Sequence, residues 1–152
     1  MDNFDARILQ EMQRSNLIPA ETIANTVGLS VSAVQRRIKR LRTDGAIEAD
    51  ISVVAPHAVG QQMTFVVAVE MERERADLID AFKRQMRLSP HVQQCYYITG
   101  ESDFIIVMTA ASMDEYEGLT RELFFDNSNV RRFHTNVVMQ RVKVGLSVHI
   151  EA

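Results

Sequence analysis

The stretch AETIANTVGLSVSAVQRRI, Ala20 to Ile38, decides the reading of the chain. From Ala20 to Val27 the apolar residues Ile23, Ala24 and Val27 fall on one helical face, and Gly28 follows, the residue that best accepts a left-handed backbone after a helix. Leu29 is placed to plug the turn, and Ser30 or Ser32 is placed to cap a further helix. In that helix Val34, Ile38 and Leu41 form the inward stripe, with the stop at Asp44-Gly45. Upstream, Phe4, Ile8, Leu9 and Met12 recur at helical spacing with Asp2 or Asn3 available as a cap, which predicts a helix over residues 4–14. Three short helices thus account for the first 45 residues, with Pro19 marking the second start.

Two helices joined by a tight turn can hold the second at an angle where its N-terminal residues enter the DNA major groove. With Val34, Ile38 and Leu41 inward, the residues Ser32, Ala33, Arg36, Arg37, Lys39 and Arg40 are left near or on the outer face. Ser30 and Ser32 at the helix start suit a phosphate, aided by the free N–H groups there, and Gln35, Arg36 and Arg37 have the length to reach base edges or backbone. The residues alone do not divide base contacts from phosphate contacts. An isolated basic run would read as a solvated helix face, but the three-helix frame around this one favours DNA. The formal net charge of −3 argues weakly the other way. Its distribution matters more, because five basic side chains lie between Arg36 and Arg42 in a chain otherwise neutral or acidic.

Further along, Ile47 to Val54 reads as a strand or extended connector, and Pro56 to Gly60 as a hinge. Phe65, Val67, Val69 and Met71 alternate on one face of a strand while Val66 and Ala68 keep the other face apolar, so both sides need covering. Leu78, Ile79, Phe82 and Met86 give a helix. Val92 to Thr99 and Phe104 to Met108 give a hairpin about the polar turn Gly100 to Asp103. Met113, Tyr116, Leu119, Thr120 and Leu123 give another helix, and Val130 to Val142 a long final strand. The order β-α-β-β-α-β predicts a ferredoxin-like domain, an antiparallel sheet with its helices on one face. The expected class is α+β: residues 1–46 a winged-type helix-turn-helix unit of three helices, 47–60 a strand linker and hinge, 61–152 the ferredoxin-like domain.

With 152 residues and 46% hydrophobic content the chain is long enough for a sizeable core, and it contains no low-complexity tract. No basic start precedes an apolar run, and no apolar run approaches the roughly 18 residues of a membrane span, so a soluble, cytoplasmic protein is expected. The single Cys95 has no partner for an internal disulfide and reads as a small buried hydrophobe. His57, His91, His134 and His149 are scattered without metal-ligand spacing, and no nucleophile–base pair, glycine-rich phosphate loop or HExxH motif occurs. No catalytic residue, metal or cofactor is expected.

The chain resembles the Lrp/AsnC family, the feast-or-famine, leucine-responsive regulators. The likeness spans nearly the whole length and rests on Asp5-Ala6-Arg7-Ile8-Leu9, Val27-Gly28-Leu29-Ser30 with Arg37-Ile38 and Leu41, and Gly45-Ala46-Ile47. It continues through Gly100-Glu101-Ser102-Asp103-Phe104 and Thr135-Asn136-Val137-Val138-Met139. The resemblance implies a sequence-specific transcriptional regulator that binds double-stranded DNA. It implies homodimers with sheets face to face, assembling further, commonly to octamers. It also implies an amino-acid effector bound between dimers beside the loop matched here by Gly100 to Asp103, with Thr99, Phe133 and Thr135 as further candidates. Backbone N–H groups around Gly100 would suit the α-carboxylate and Asp103 the ammonium, although turn chemistry alone also explains both residues. The chain departs from the commoner Gly-Asp-x-Asp of the family at Glu101 and Ser102, and carries Phe133 where some relatives have a small polar residue. Two rival readings share the scaffold: an enzyme like the siroheme decarboxylases, and an architectural protein that bends DNA without an effector.

Overall fold

The computed structural model describes Met1–Ala152 and divides into two compact units, Met1–Val53 with Lys143–Ala152, and Val54–Val142. The first unit is built on α1 (Asn3–Arg14), α2 (Ala20–Val27) and α3 (Val31–Thr43). Each start and stop has a local cause. Asp2 caps α1 and accepts from the Asp5 N–H at 2.9 Å, and the Asp5 carboxylate returns a bond from the Asp2 N–H at 3.1 Å, closing a capping box. Gly28, at φ 77°, ends α2, where its N–H and that of Leu29 both donate to the Ala24 carbonyl. The Ser30 hydroxyl caps α3 by accepting from the Ala33 N–H, so of the two serines it is Ser30 that starts the helix. The Arg7 guanidinium reaches the Thr26 and Val27 carbonyls, satisfying the end of α2 from α1.

Ile8, Ile23, Ala24, Val27, Val34, Ile38 and Leu41 meet in one core, with Leu29 and Ile47 packed against it. Phe4 is not part of that core. It is 39% exposed and carries the Arg37 guanidinium over its ring, 5.5 Å from the centroid. Beyond Gly45 the chain is extended, and residues 47–55 belong to no sheet, so the expected linker strand lacks a ladder partner. A single 3₁₀ turn, Pro56–Val59, follows.

The second unit comprises β1 (Met63–Met71), α4 (Ala76–Leu88), β2 (Val92–Tyr97), β3 (Phe104–Ala110), α5 (Met113–Thr120) and β4 (Val130–Val137). The strands form one antiparallel sheet in the order β2-β3-β1-β4, which is the ferredoxin-like arrangement. Register decides the faces. Val67 lies between Ile106 and Thr135, and Val69 between Phe104 and Phe133, on the side packed by Ile79, Phe82 and Met86 of α4 and Tyr116 of α5. A wider π turn, Arg121–Phe125, continues α5 and brings the consecutive residues Leu123 and Phe124 both into the core. On the other face Val66 and Ala68 pair with Val107 and Ile105, and no element of the unit covers them.

The final strand is shorter than its sequence pattern predicts. It ends at Val137, not Val142, because β1 is its only partner and the last ladder bond runs from the Val138 N–H to the Thr64 carbonyl, one residue from the start of β1. The apolar alternation of residues 138–150 has no strand to pair with inside this unit.

Candidate nucleic-acid interface and effector loop

The buried positions of α3 are Val34, Ile38 and Leu41, as expected from their spacing. Opposite them, at helical spacing, stand Ser32, Gln35, Arg36 and Lys39, all exposed. Ala33 and Arg37 lie at the flank, half-buried. The five basic side chains of Arg36 to Arg42 are therefore not equivalent. Arg37 bonds Asp2 and Asp5, each at 2.7 Å, and Arg40 bonds Asp5 at 2.5 Å. Arg42 pairs with Asp50 at 2.8 Å. Arg36 and Lys39 take part in none of the ion pairs and keep their charge outward.

Asp5 is the centre of this arrangement. Its side chain is only 1% exposed, while that of Arg40 remains 50% exposed. Burial alone would raise the Asp5 carboxyl, but the Asp2 N–H bond, the Arg37 bond and the Arg40 charge outweigh it and hold the group below its ordinary value. Asp2 is likewise held down, by the Asp5 N–H first and the Arg37 bond second. Both carboxylates stay ionised near neutrality, so the first turn of α1 fixes two arginines of α3 in place. The Asp2-x-x-Asp5 spacing signals a cap in the sequence, but the link to α3 could only be seen folded.

The candidate effector residues fall into two groups. Thr99 to Asp103 form the β2–β3 turn, with Gly100 at φ 138°. Asp103 extends the ladder there: its N–H donates to the Val69 carbonyl at 2.9 Å, its carbonyl accepts from Ile98 at 2.8 Å, and its carboxylate accepts from the Met71 N–H at 2.6 Å. One carboxylate oxygen is thus committed to the backbone of β1. Phe133 and Thr135 lie on β4, separated from the turn by β1 and so by two strand spacings, about 10 Å. Phe133 packs on Phe124 and Phe125, with ring centroids 4.9 and 5.2 Å away, and Thr135 bonds the Tyr116 hydroxyl. Within one chain the two groups do not meet. Burial pushes the Cys95 thiol up, which suits a packing residue.

A helix-turn-helix with an outward cationic face, joined to a ferredoxin-like unit with one bare sheet face, defines a DNA-binding regulator with a second, sensing or assembling domain. Residues 1–42 match the AsnC-type helix-turn-helix domain, and residues 64–148 match the Lrp/AsnC ligand binding domain. The chain belongs to the Lrp/AsnC family of transcriptional regulators. It is 48% identical over 151 residues to an uncharacterised HTH-type transcriptional regulator of Sinorhizobium fredii, covering 99% of this chain and 89% of that one. To the leucine-responsive regulatory protein of Haemophilus influenzae it is 27% identical, covering 94% and 86%. In fold it matches an AsnC family regulator from Agrobacterium tumefaciens, with a TM-score of 0.90 at 21% identity over 98% of this chain and 97% of that one. A transcriptional regulator of Neisseria meningitidis solved in complex with L-Met gives 0.90 at 23%, over 98% and 96%. Family members are regulators, so the enzymatic reading falls away. No helix is long and apolar enough to cross a membrane.

Proposed function

We propose that α3 enters the major groove with Ser32, Gln35, Arg36 and Lys39, and that DNA binding responds to an amino-acid effector held by the second unit. The observation that carries the DNA half is the division of charge on α3: Arg36 and Lys39 unpaired and outward, Arg37 and Arg40 neutralised by Asp2 and Asp5. Arg36 and Gln35 have the length to reach base edges, Lys39 suits a phosphate, and Ser30 with Ser32 offers hydroxyls to a phosphate at the helix start. Arg37 and Arg40 act chiefly as positioning residues, and Ala33 as a contact to the backbone or a thymine methyl.

A sheet face suited to self-association supports the sensing half. The open sheet face has an apolar centre, Val66, Ala68, Ile105 and Val107, bordered by Tyr96 on one side and the Glu70–Arg132 pair on the other. An apolar patch with a polar rim fits a second copy of the chain. Dimers joined there, associating further to an octamer, would bring the Thr99 to Asp103 turn against neighbouring copies, where Gly100 N–H and the remaining Asp103 oxygen suit a zwitterion. Glu101, Ser102, Phe133 and Thr135 would shape its side-chain pocket. In vitro selection from random duplexes tests the DNA half: half-sites about one helical turn apart, or a multiple of it, are expected of a symmetric dimer. Calorimetric titration of the assembled protein against the common amino acids tests the sensing half, and no heat from any of them would remove it. DNA compaction unaffected by every amino acid would favour the architectural reading.

A further inference from the structure

Helix α1 carries a second face that the core does not use. Ala6, Gln10 and Gln13, spaced four and three residues apart, lie along one side of it. The C-terminal segment runs antiparallel along that side. Gln13 brackets Val148, accepting from its N–H at 2.7 Å and donating to its carbonyl at 3.0 Å, and Gln10 donates to the Ile150 carbonyl at 2.8 Å. Glu151 and Ala152 line one open groove together with Met1, Asp2, Asn3 and Ala6. Bonds at residues 148 and 150, two apart, come from the same edge of an extended backbone.

The chain therefore leaves the first unit after Val53 and returns to it at Lys143. The second unit is an insertion, tethered at both ends. The returning end is held mainly through its backbone: Leu146 is 73% and Val148 68% exposed, and of the nearby apolar residues Ile150 is half-buried. A segment held by a few solvent-accessible hydrogen bonds opens far more readily than a packed core element. It also sits on the helix whose first turn, through Asp2 and Asp5, fixes Arg37 and Arg40 of α3.

The geometry points to residues 146–152 as a releasable strap, closed on α1 by Gln10 and Gln13, through which the inserted unit influences the DNA-reading helix. Closing the strap steadies α1 and, through the carboxylate clamp, α3. Releasing it loosens both. This rests on the DNA-binding reading above, and its test separates the two.

Amide hydrogen exchange on the full chain reads the strap directly, because the Val148 N–H has Gln13 as its acceptor. Gln13→Ala raises Val148 exchange about thirtyfold, the loss expected for two hydrogen bonds of ordinary net strength. Gln13→Glu keeps the acceptor and preserves more of that protection, and neither variant alters exchange at Val67 and Ile106 in the sheet of the second unit. Gln10→Ala/Gln13→Ala weakens binding to a random-sequence DNA duplex, read by fluorescence anisotropy, about three- to tenfold, while the thermal unfolding of the second unit is unchanged. Free-peptide exchange at Val148 in the unmodified protein would overturn the strap. So would released exchange in the double variant with unaltered duplex affinity, which would cut the strap from the DNA-reading helix. Failure of the unmodified protein to bind any duplex would instead contradict the proposed function, with the exchange experiment still judging the strap.

Discussion

Asp5→Ala strikes the contact on which α1 and α3 depend. The substitution removes the return bond of the capping box, the bond to Arg37 and the bond to Arg40. The two arginines remain partly in water, so neither is left as a buried unpaired charge, and each pair is worth nearer a partly exposed ion pair than a buried one. At about 0.5–1 kcal/mol for each of the three interactions the loss sums to about 1.5–3 kcal/mol. In a unit this small each kcal/mol moves the midpoint by about 4–8 °C, so circular dichroism should show the first unit melting roughly 6–24 °C lower at neutral pH. Asp5→Asn, which keeps an acceptor but no charge, should fall between. The pH dependence has a definite sign. Because the folded carboxyls of Asp2 and Asp5 lie below their ordinary values, their stabilisation is present above about pH 4 and is lost as pH falls through the folded values. The gap between the unmodified protein and Asp5→Ala should therefore close in strong acid. A neutral-pH midpoint within a degree of the unmodified protein would refute the clamp.

Gly28→Ala meets no atom within 4 Å of the added Cβ, so its cost is the left-handed backbone alone, about 1–2 kcal/mol, measurable as a lower urea midpoint. Asp103→Ala strips the Met71 N–H of its acceptor and should cost about 1–2 kcal/mol, with faster amide exchange at Met71. Tyr116 is pushed up by burial, against a smaller opposing effect of its Thr135 bond, so an ultraviolet titration should show one of the three tyrosines ionising at higher pH than an ordinary tyrosine, and Tyr116→Phe should delete that phase.

Much of the fold was legible in the sequence because it follows from periodicity and punctuation. Gly28, the Val34, Ile38 and Leu41 stripe and the alternation of Phe65 to Met71 each announce a backbone state or a face before any tertiary contact is known. Phe4 misled because helical spacing places it on the inward side of α1, whereas the arginine of a distant helix took its ring instead. Residues 138–142 misled because strand patterning says nothing about whether a partner strand is long enough to pair. The outward side of α3 was legible in the sequence, but the state of each of its cations was not. Arg36 and Arg37 are neighbours with the same chemistry, and only the folded position of Asp2 and Asp5 separates a free cation from a held one. The effector candidates were drawn from resemblance, and the register explains why one chain does not gather them: β1 lies between Asp103 and Phe133.

The salt dependence of DNA binding tests the central claim most directly. If Arg36 and Lys39 are the unpaired cations that α3 sets against base and phosphate, Arg36→Ala/Lys39→Ala should reduce the slope of log K against log salt by about 0.9 for each α3 engaged when Lys39 alone meets a phosphate, and by about 1.8 when Arg36 meets one too. Arg42→Ala, which removes a cation already paired with Asp50, should leave the slope nearly unchanged. A double variant that binds with the unmodified slope and affinity would contradict the account.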